Sequence, residues 1–159
     1  MRNLFLALAL LTSIKATYGQ VGNENINHKD SIALSKTWEG FKRKLFLKDI
    51  NSLKSISCKQ VFGNCILKPI SENCQPYGSS NRLFTLFYRE MFPQNRSIIL
   101  TDKYKIVVYS SIKDGTMNVK HPTQFQIWFT NNSKPGSQFA FVFERIKGKF
   151  KFSGLDAIP

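Results

Sequence analysis

The chain has 159 residues, of which 23 are lysine or arginine and 10 are aspartate or glutamate, and its formal charge is +13. A chain of this length can bury one compact core, which argues against an array of domains. The positive charge favours anionic glycans, nucleic acid or acidic surfaces as encounter partners. A solvated basic face explains isolated lysines without any ligand, and this simpler interpretation is preferred.

The first 19 residues have the pattern of a secretory signal peptide. Arg2 gives a basic start, Leu4–Leu11 is apolar, and small and polar residues follow up to a cleavage point after Gly19. The apolar run is shorter than the roughly 20 residues of a membrane-spanning helix, and Lys15 interrupts it. We therefore expect an exported protein, periplasmic or extracellular, without a membrane span. Cleavage lowers the charge from +13 to +11, because this segment holds two basic and no acidic residues.

The segment 20–30 is rich in asparagine and is expected to be a flexible leader into a single domain at 31–159. Asp30 or Ser31 is predicted to cap a first helix, because apolar residues then recur at the spacing of one helix face. These core-facing residues are Leu34, Trp38, Phe41 and Leu45. A second, shorter helix is predicted in KDINSLKSIS, where Asp49 opens it.

The middle of the chain is predicted to contain an extended pair and a third helix. Two short apolar pieces of CKQVFGNCILKPI surround Gly63 and Asn64, which is typical of a small hairpin. After a loop, Ser80 or Asn81 is expected to cap a helix that runs through RLFTLFYREMF and ends before Pro93. The buried side of this helix would hold Leu83, Phe84, Phe87 and Met91.

Beyond Pro93 the pattern becomes that of β-strands. Strand-like segments rich in β-branched and aromatic residues begin at Tyr104, Thr123, Gln138 and Lys149, and turn residues separate them. Short connections favour an antiparallel meander, and its phenylalanines alternate onto one face. The predicted fold class is therefore α+β, with three N-terminal helices packed on a curved antiparallel sheet of about four to six strands.

Trp128 is the exception to this alternation, since it falls on the polar side of its strand. An edge cover, a partner contact and a second apolar patch are the alternatives for it. A homodimer formed through the sheet is a further expectation, with Trp128 at the contact.

Three cysteines, Cys58, Cys65 and Cys74, lie close together in the sequence. In an exported protein they predict one disulfide and one remaining thiol, and loop entropy differs too little between pairings to choose among them. The spacing is wider than that of a zinc site, so neither a metal nor a cofactor is expected. A catalytic thiol would need a histidine, and His28 and His121 both fall in segments expected to be flexible or looped.

The order of the predicted elements resembles that of the nuclear transport factor two-like superfamily. The segments that carry the resemblance are WEGFKRKLFLKDINSLKSIS and FVFERIKGKFKFSGLDAIP, which are similar to the opening and closing segments of small exported bacterial members with no assigned activity. The resemblance covers residues 31–158 and implies the cone-shaped α+β fold of ketosteroid isomerase and polyketide-cyclase-like proteins. It also implies a pocket between sheet and helices, for which the candidate lining residues are Trp38, Phe41, Phe84 and Tyr104.

Proton-moving proteins of this superfamily place an acidic base and hydrogen-bond donors inside the pocket. The polar residues in or near the predicted strands are Asp102, Tyr104, Tyr109 and His121. Ordinary turn, strand and loop positions explain each of them, so no catalytic residue is assigned.

We expect a non-enzymatic exported domain that binds an unidentified small ligand in the cone or a protein through its surface. An enzyme of the isomerase, cyclase or dehydratase type is one alternative, which the fold suggests. Recognition of anionic polymers is another, because FKRKLFLK and RIKGKFKF interleave basic and aromatic residues. Alternation in a half-buried strand produces the same pattern, and nucleic acid is not an expected partner.

Overall fold

The computed structural model describes residues 26–63, 66–67, 77–101, 103–109, 123–130 and 138–158. These residues confirm the α+β class, with four helices and six strands. The helices are α1 (His28–Phe46), α2 (Ile50–Ser55), α3 (Ser80–Glu90) and α4 (Phe92–Leu100). The strands are β1 (Ser57–Phe62), β2 (Tyr77–Gly78), β3 (Lys105–Tyr109), β4 (Gln124–Thr130), β5 (Gln138–Ile146) and β6 (Lys149–Ile158). The predicted signal peptide lies outside the described residues.

Helix α1 begins earlier than predicted because Asn27, rather than Asp30 or Ser31, caps it. The Asn27 side chain accepts a hydrogen bond of 2.9 Å from the Asp30 backbone N–H. The Asp30 carboxylate in turn accepts hydrogen bonds from Asn27 Nδ2 and, at 2.7 Å, from Arg145 Nη1 of β5. The first turn of α1 is thereby tied to the sheet. The predicted core-facing residues Leu34, Trp38, Phe41 and Leu45 are all buried.

Helix α4 corrects the prediction of three helices. Pro93 was expected to end α3, but it lies in the first turn of α4, where its missing N–H costs no hydrogen bond. Helix α4 buries Phe92, Asn95 and Ile99, which are too few apolar residues to give a clear helical period. Helix α3 is capped by Ser79 and buries three of its four predicted core residues, while Met91 is half-buried beside the core.

The strands form one sheet in the order β2-β1-β6-β5-β4-β3. The predicted antiparallel meander is confirmed for β3, β4, β5 and β6. The prediction of an entirely antiparallel sheet is wrong at β1, which runs parallel to β6. The antiparallel partner of β1 is β2 rather than the segment after Gly63, part of which lies outside the described residues. The sheet is therefore mixed, and β6 lies between β1 and β5.

The hairpin of β5 and β6 closes through Lys147 and Gly148, whose φ angles are 49° and 78°. Two successive positive φ values are those of a type I′ turn, which matches the twist of the strands. Further along β6 the register with β5 shifts near Gly154. A Cβ atom at Gly154 would lie 2.6 Å from Phe62 Cδ1, so the close approach of β1 and β6 requires glycine there.

The alternating phenylalanines of the last two strands form the inner face of the sheet, as predicted. Phe139, Phe141, Phe143, Phe150 and Phe152 are all buried in the core cluster. Phe141, Phe143 and Phe152 contact rings of α1, as when Phe152 meets Phe41 with ring centroids 5.0 Å apart. Their regular spacing in the sequence is therefore explained by packing.

Candidate functional site

The four predicted pocket residues lie in contact with one another inside the molecule. Trp38 stacks on Phe41 with ring centroids 5.9 Å apart, and Phe41 lies 6.1 Å from Phe84. Tyr104 meets the Trp38 ring edge-on at 6.2 Å. These spacings are those of packed aromatic pairs, so the four side chains belong to the core or border it. Their role in binding a ligand stays a prediction.

Trp38 carries a buried polar group without a partner. The residue is 0% exposed, and its indole Nε1 has no hydrogen-bond acceptor within the part of the chain that the structure describes. Leaving a buried donor unpaired costs about 1–3 kcal/mol. An acceptor supplied by a bound molecule would remove this cost, so the N–H of Trp38 is the interior feature that favours a ligand.

Trp128 lies on the face of the sheet turned away from the core. It alternates with the core residues Ile127 and Phe129 and is itself outside the core cluster. It is nevertheless 9% exposed, and its indole N–H donates to Gln126 Oε1 at 2.7 Å. Gln126 Nε2 also lies 3.5 Å from Asp156 Oδ2 of β6. The polar atom of Trp128 is thus engaged within the sheet, and a dimer or partner contact at Trp128 stays a prediction.

Cys58 on β1 is a free thiol, whereas Cys65 and Cys74 lie outside the described residues. Burial raises the pKa of Cys58, and the charge of Glu144 raises it further, while Lys151 opposes the shift. A raised pKa reduces the thiolate fraction at neutral pH and with it the reactivity of the thiol. Cys58 therefore has the character of a structural thiol, and the disulfide stays a prediction.

Of the remaining polar candidates, the structure describes Tyr104 and Tyr109. Asp102 and His121 lie outside the described residues. Tyr104 contacts the core, whereas Tyr109 is exposed at the far end of β3. Within the described ranges, no group of three or more histidine, cysteine, aspartate or glutamate residues could hold a metal ion.

A concentration of positive charge lies where α1 ends. We define the basic corner as Arg43, Lys44, Leu47 and Lys48 together with Arg96 of α4. The string FKRKLFLK signalled the first four residues in the sequence. Arg96 could not be added to them, because α4 was not predicted.

The backbone of the basic corner is fixed by a Schellman motif. Lys48 has a left-handed φ of 54°, its N–H donates to the Leu45 carbonyl at 3.2 Å, and the Asp49 N–H donates to the Lys44 carbonyl at 3.0 Å. These two bonds satisfy carbonyl groups at the end of α1. Asp49 then caps α2, where its carboxylate accepts from the Ser52 N–H at 3.1 Å. The turn between the helices is thus held at both ends.

Two cations of the basic corner stand over aromatic rings. The Arg96 guanidinium carbon is 5.9 Å from the centroid of Phe46, and Lys48 Nζ is 6.0 Å from that of Tyr88. The Tyr88 hydroxyl donates to the Leu45 carbonyl at 2.7 Å, which places the ring beside the end of α1. Burial raises the pKa of Tyr88 well above its ordinary value, so the hydroxyl keeps its proton. Such ring contacts restrain the two cations by about 0.5–1 kcal/mol each.

The charge of the basic corner is largely uncompensated. Ion pairs seen among the described residues involve other basic side chains: Lys42 with Glu39, Arg89 with Glu90, and Arg145 with Asp30. Asp49 is the acidic residue next to the corner, and its hydrogen bonds from Ser52, with a smaller effect of Lys44, hold its pKa below its usual value. The basic corner thus has four positively charged side chains and one neighbouring carboxylate, that of Asp49.

Leu47 is an exposed apolar side chain in the middle of this charge. It is 68% exposed, more than any other large hydrophobic residue in the described part of the chain. An exposed leucine surrounded by basic residues combines an apolar side chain with positive charge. Both can contribute to binding a surface that is anionic and partly apolar.

Comparisons of the chain with protein-family models, with curated proteins and with solved structures find no match. Among the residues described, no helix is both long and apolar enough to cross a membrane.

Proposed function

We propose that the protein is an exported, non-enzymatic binding domain that binds anionic polymers or surfaces through the basic corner. The geometry of the corner carries this proposal. Lys48 and Arg96 are already positioned over Tyr88 and Phe46, and Leu47, between Phe46 and Lys48 in the chain, is exposed. Cations restrained in advance lose less conformational entropy when they bind an anion, which favours binding.

The interior of the molecule supports a binding role rather than a catalytic one. Among the described residues, the largest fully buried side chains are aromatic or aliphatic, and the carboxylate of the buried acid Asp30 is engaged by Asn27 and Arg145. Proton transfer in a cone would place a carboxyl group among the aromatic and aliphatic side chains. Glu144, a half-buried acid with a raised pKa, alternates with Phe143 and so faces away from the core cluster.

Two further parts of the proposal rest on sequence patterns. The residues up to Gly19 support export, and the segments WEGFKRKLFLKDINSLKSIS and FVFERIKGKFKFSGLDAIP support membership of the nuclear transport factor two-like superfamily, although α4 adds a helix to the order of elements predicted from the sequence. A secreted form whose measured mass is that of a chain beginning at Gln20 would support export. A cell-associated form that keeps Met1 to Gly19 would contradict it.

Heparin affinity tests the basic corner. A corner variant would combine Arg43→Gln, Lys48→Gly and Arg96→Gln, which all replace exposed residues. Glycine is chosen at Lys48 because it accepts the left-handed φ of 54°. We expect this variant to leave a heparin column at clearly lower salt than the wild type. With fewer cations to bind heparin, the variant releases fewer counterions from the polymer.

A matched variant controls for net charge alone. Lys36→Gln, Lys59→Gln and Arg82→Gln remove the same charge from exposed positions on α1, β1 and α3. If the corner is the binding site, this control elutes close to the wild type. Equal losses in both variants would show that retention follows overall charge, and the basic corner would then lose its assignment.

A second candidate function is the binding of a small ligand in the interior. The unpaired indole N–H of Trp38 specifically favours it, since a ligand with an apolar body and one acceptor oxygen would satisfy that donor among the surrounding rings.

Native mass spectrometry of the protein from its host tests this second candidate. A retained small molecule in the wild type that Trp38→Phe loses would support it, because phenylalanine keeps a ring but has no N–H. Unliganded spectra for the wild type, or equal retention by both proteins, would contradict it. Tyr104→Phe is the matched control, since it removes a polar atom from a ring next to Trp38.

A further inference from the structure

We propose that the anionic surface recognised by the basic corner is a lipid membrane, with Leu47 entering the interface and the surrounding cations on lipid phosphates. The inference rests on the proposed function and names the partner of that site.

The position of Leu47 on the helix favours a lipid surface. An α-helix turns by about 100° per residue, so Leu47 projects about 40° from Arg43, and Lys44 about 100° from Arg43. Leu47 therefore lies between Arg43 and Lys44 on one exposed side of the last turn of α1. An apolar centre with flanking cations is the arrangement of interfacial segments, in which the leucine enters the headgroup region and the cations meet phosphates.

The remaining cations widen this arrangement on both sides. Lys48 follows Leu47 directly, and Arg96 lies over the ring of Phe46, which precedes it. Long basic side chains reach outward while their stems rest on apolar groups, so both can contact a flat anionic surface as Leu47 enters it. Asp49 opposes the attraction, but its carboxylate is engaged by the Ser52 N–H.

Binding of a linear anionic polymer would use the cations of the basic corner but not the side chain of Leu47. A sulfated glycan or a nucleic acid backbone meets charge with charge, and an exposed aliphatic chain adds little to that contact. A lipid interface instead gains free energy from each buried methylene. The Schellman motif adds to this gain, because the leucine is presented on a turn that is already ordered.

Leu100 provides a matched comparison within the same molecule. It is 54% exposed at the end of α4, and its sequence neighbours are Ile99 and Thr101. Hydrophobic exposure is thus similar at the two positions, but Leu100 has one cation a turn before it on its helix, Arg96, whereas Leu47 is flanked by Arg43, Lys44 and Lys48.

Cosedimentation with lipid vesicles tests the inference. The secreted protein would be mixed with vesicles of equal parts phosphatidylcholine and phosphatidylglycerol, and with vesicles of phosphatidylcholine alone. We expect the wild type to partition onto the anionic vesicles, and Leu47→Gln to partition about tenfold less, whereas its elution from heparin should change less than that of the corner variant, which loses three cations. Leu100→Gln should match the wild type in both assays. Each exposed cation removed should weaken vesicle binding by about fivefold.

The two assays separate failure of this inference from failure of the proposed function. If Leu47→Gln binds vesicles as the wild type does, or if the wild type binds none while heparin still retains it, the lipid inference is overturned and the basic corner stands. If the wild type is retained by neither, both are overturned.

A spectroscopic readout gives an independent check. The emission of Leu47→Trp should shift to the blue on anionic vesicles, whereas that of Leu100→Trp should not. The background from Trp38 and Trp128 is shared by both variants, because these residues are buried. An unshifted spectrum for Leu47→Trp would also overturn the lipid inference.

Discussion

Aromatic rings serve two different purposes at the centre of the molecule and at its basic corner. In the interior, Phe141 packs against Trp38 and Phe41, and each ring is surrounded by other rings. At the corner, Phe46 and Tyr88 both pack against Phe92, and in addition they carry Arg96 and Lys48 on their faces. The role of a ring therefore depends on its neighbours. Ring-on-ring packing stabilises the fold, whereas a ring beneath a cation also positions charge at the surface.

The largest expected effect separates stability from binding. Phe141→Ala should lower the free energy of unfolding by about 3–5 kcal/mol, because it opens a cavity among rings of α1, α3, β4 and β6. The corner variant should change stability by no more than about 1 kcal/mol per site, since its residues are exposed and two of them lose only a ring contact. Denaturant unfolding of both proteins measures this. A corner variant as unstable as Phe141→Ala would contradict the assignment of stability to the interior and binding to the basic corner.

The next effect concerns the tie between α1 and the sheet. Asp30→Ala should cost about 1–3 kcal/mol, because it leaves the Asn27 side-chain amide and the Arg145 guanidinium without their acceptor. Glu39→Ala, which removes an exposed ion pair with Lys42 on the same helix, should cost less than about 0.5 kcal/mol. Equal thermal shifts for the two variants would show that the Asp30 tie adds no more than a surface pair.

A smaller effect is expected at Lys48, where one substitution should raise stability and lower heparin affinity. Lys48→Gly should stabilise the protein by about 0.5 kcal/mol, because glycine relieves the left-handed backbone at only a modest cost in entropy. The same change should weaken heparin binding. Lys48→Ala is the control, since it removes the charge and keeps the Cβ atom. If glycine proves no more stable than alanine here, strain at this turn is not significant.

The smallest effect depends on pH. Burial raises the pKa of Glu144 in the folded protein above the ordinary 4.5, so the acid loses its proton more readily in the unfolded chain. Stability from this residue is therefore complete below pH 4.5 and falls as the pH rises through the folded-state pKa. Glu144→Gln should melt higher than the wild type at neutral pH and equally at acidic pH. A difference that grows on acidification would reverse the assigned sign.

Local patterns in the sequence predicted the elements whose signals are local. The spacing of Leu34, Trp38, Phe41 and Leu45 predicted the buried face of α1, and the alternating phenylalanines predicted the covered face of the last two strands. Helix α4 was missed because Pro93 both starts helices and breaks them. The parallel pairing of β1 with β6 joins segments far apart in the chain, and no local pattern encodes it.

The candidate site was predictable in part for the same reason. Arg43, Lys44, Leu47 and Lys48 are neighbours in the sequence, and their charge was visible there. Arg96 joins them only through the packing of α4, and the position of Leu47 between cations follows from where α1 ends. The interior residues were predicted as a pocket, but their ring contacts could be read only from the fold.

The place of β6 in the sheet has a consequence for biosynthesis. This strand lies between β1 and β5 and follows both in the chain, so a nascent chain that has not yet produced it holds two unconnected pieces of sheet. Their unpaired edges would expose backbone donors and acceptors until translation reaches Lys149–Ile158. The sheet seen among the described residues can therefore be completed only once β6 has been made.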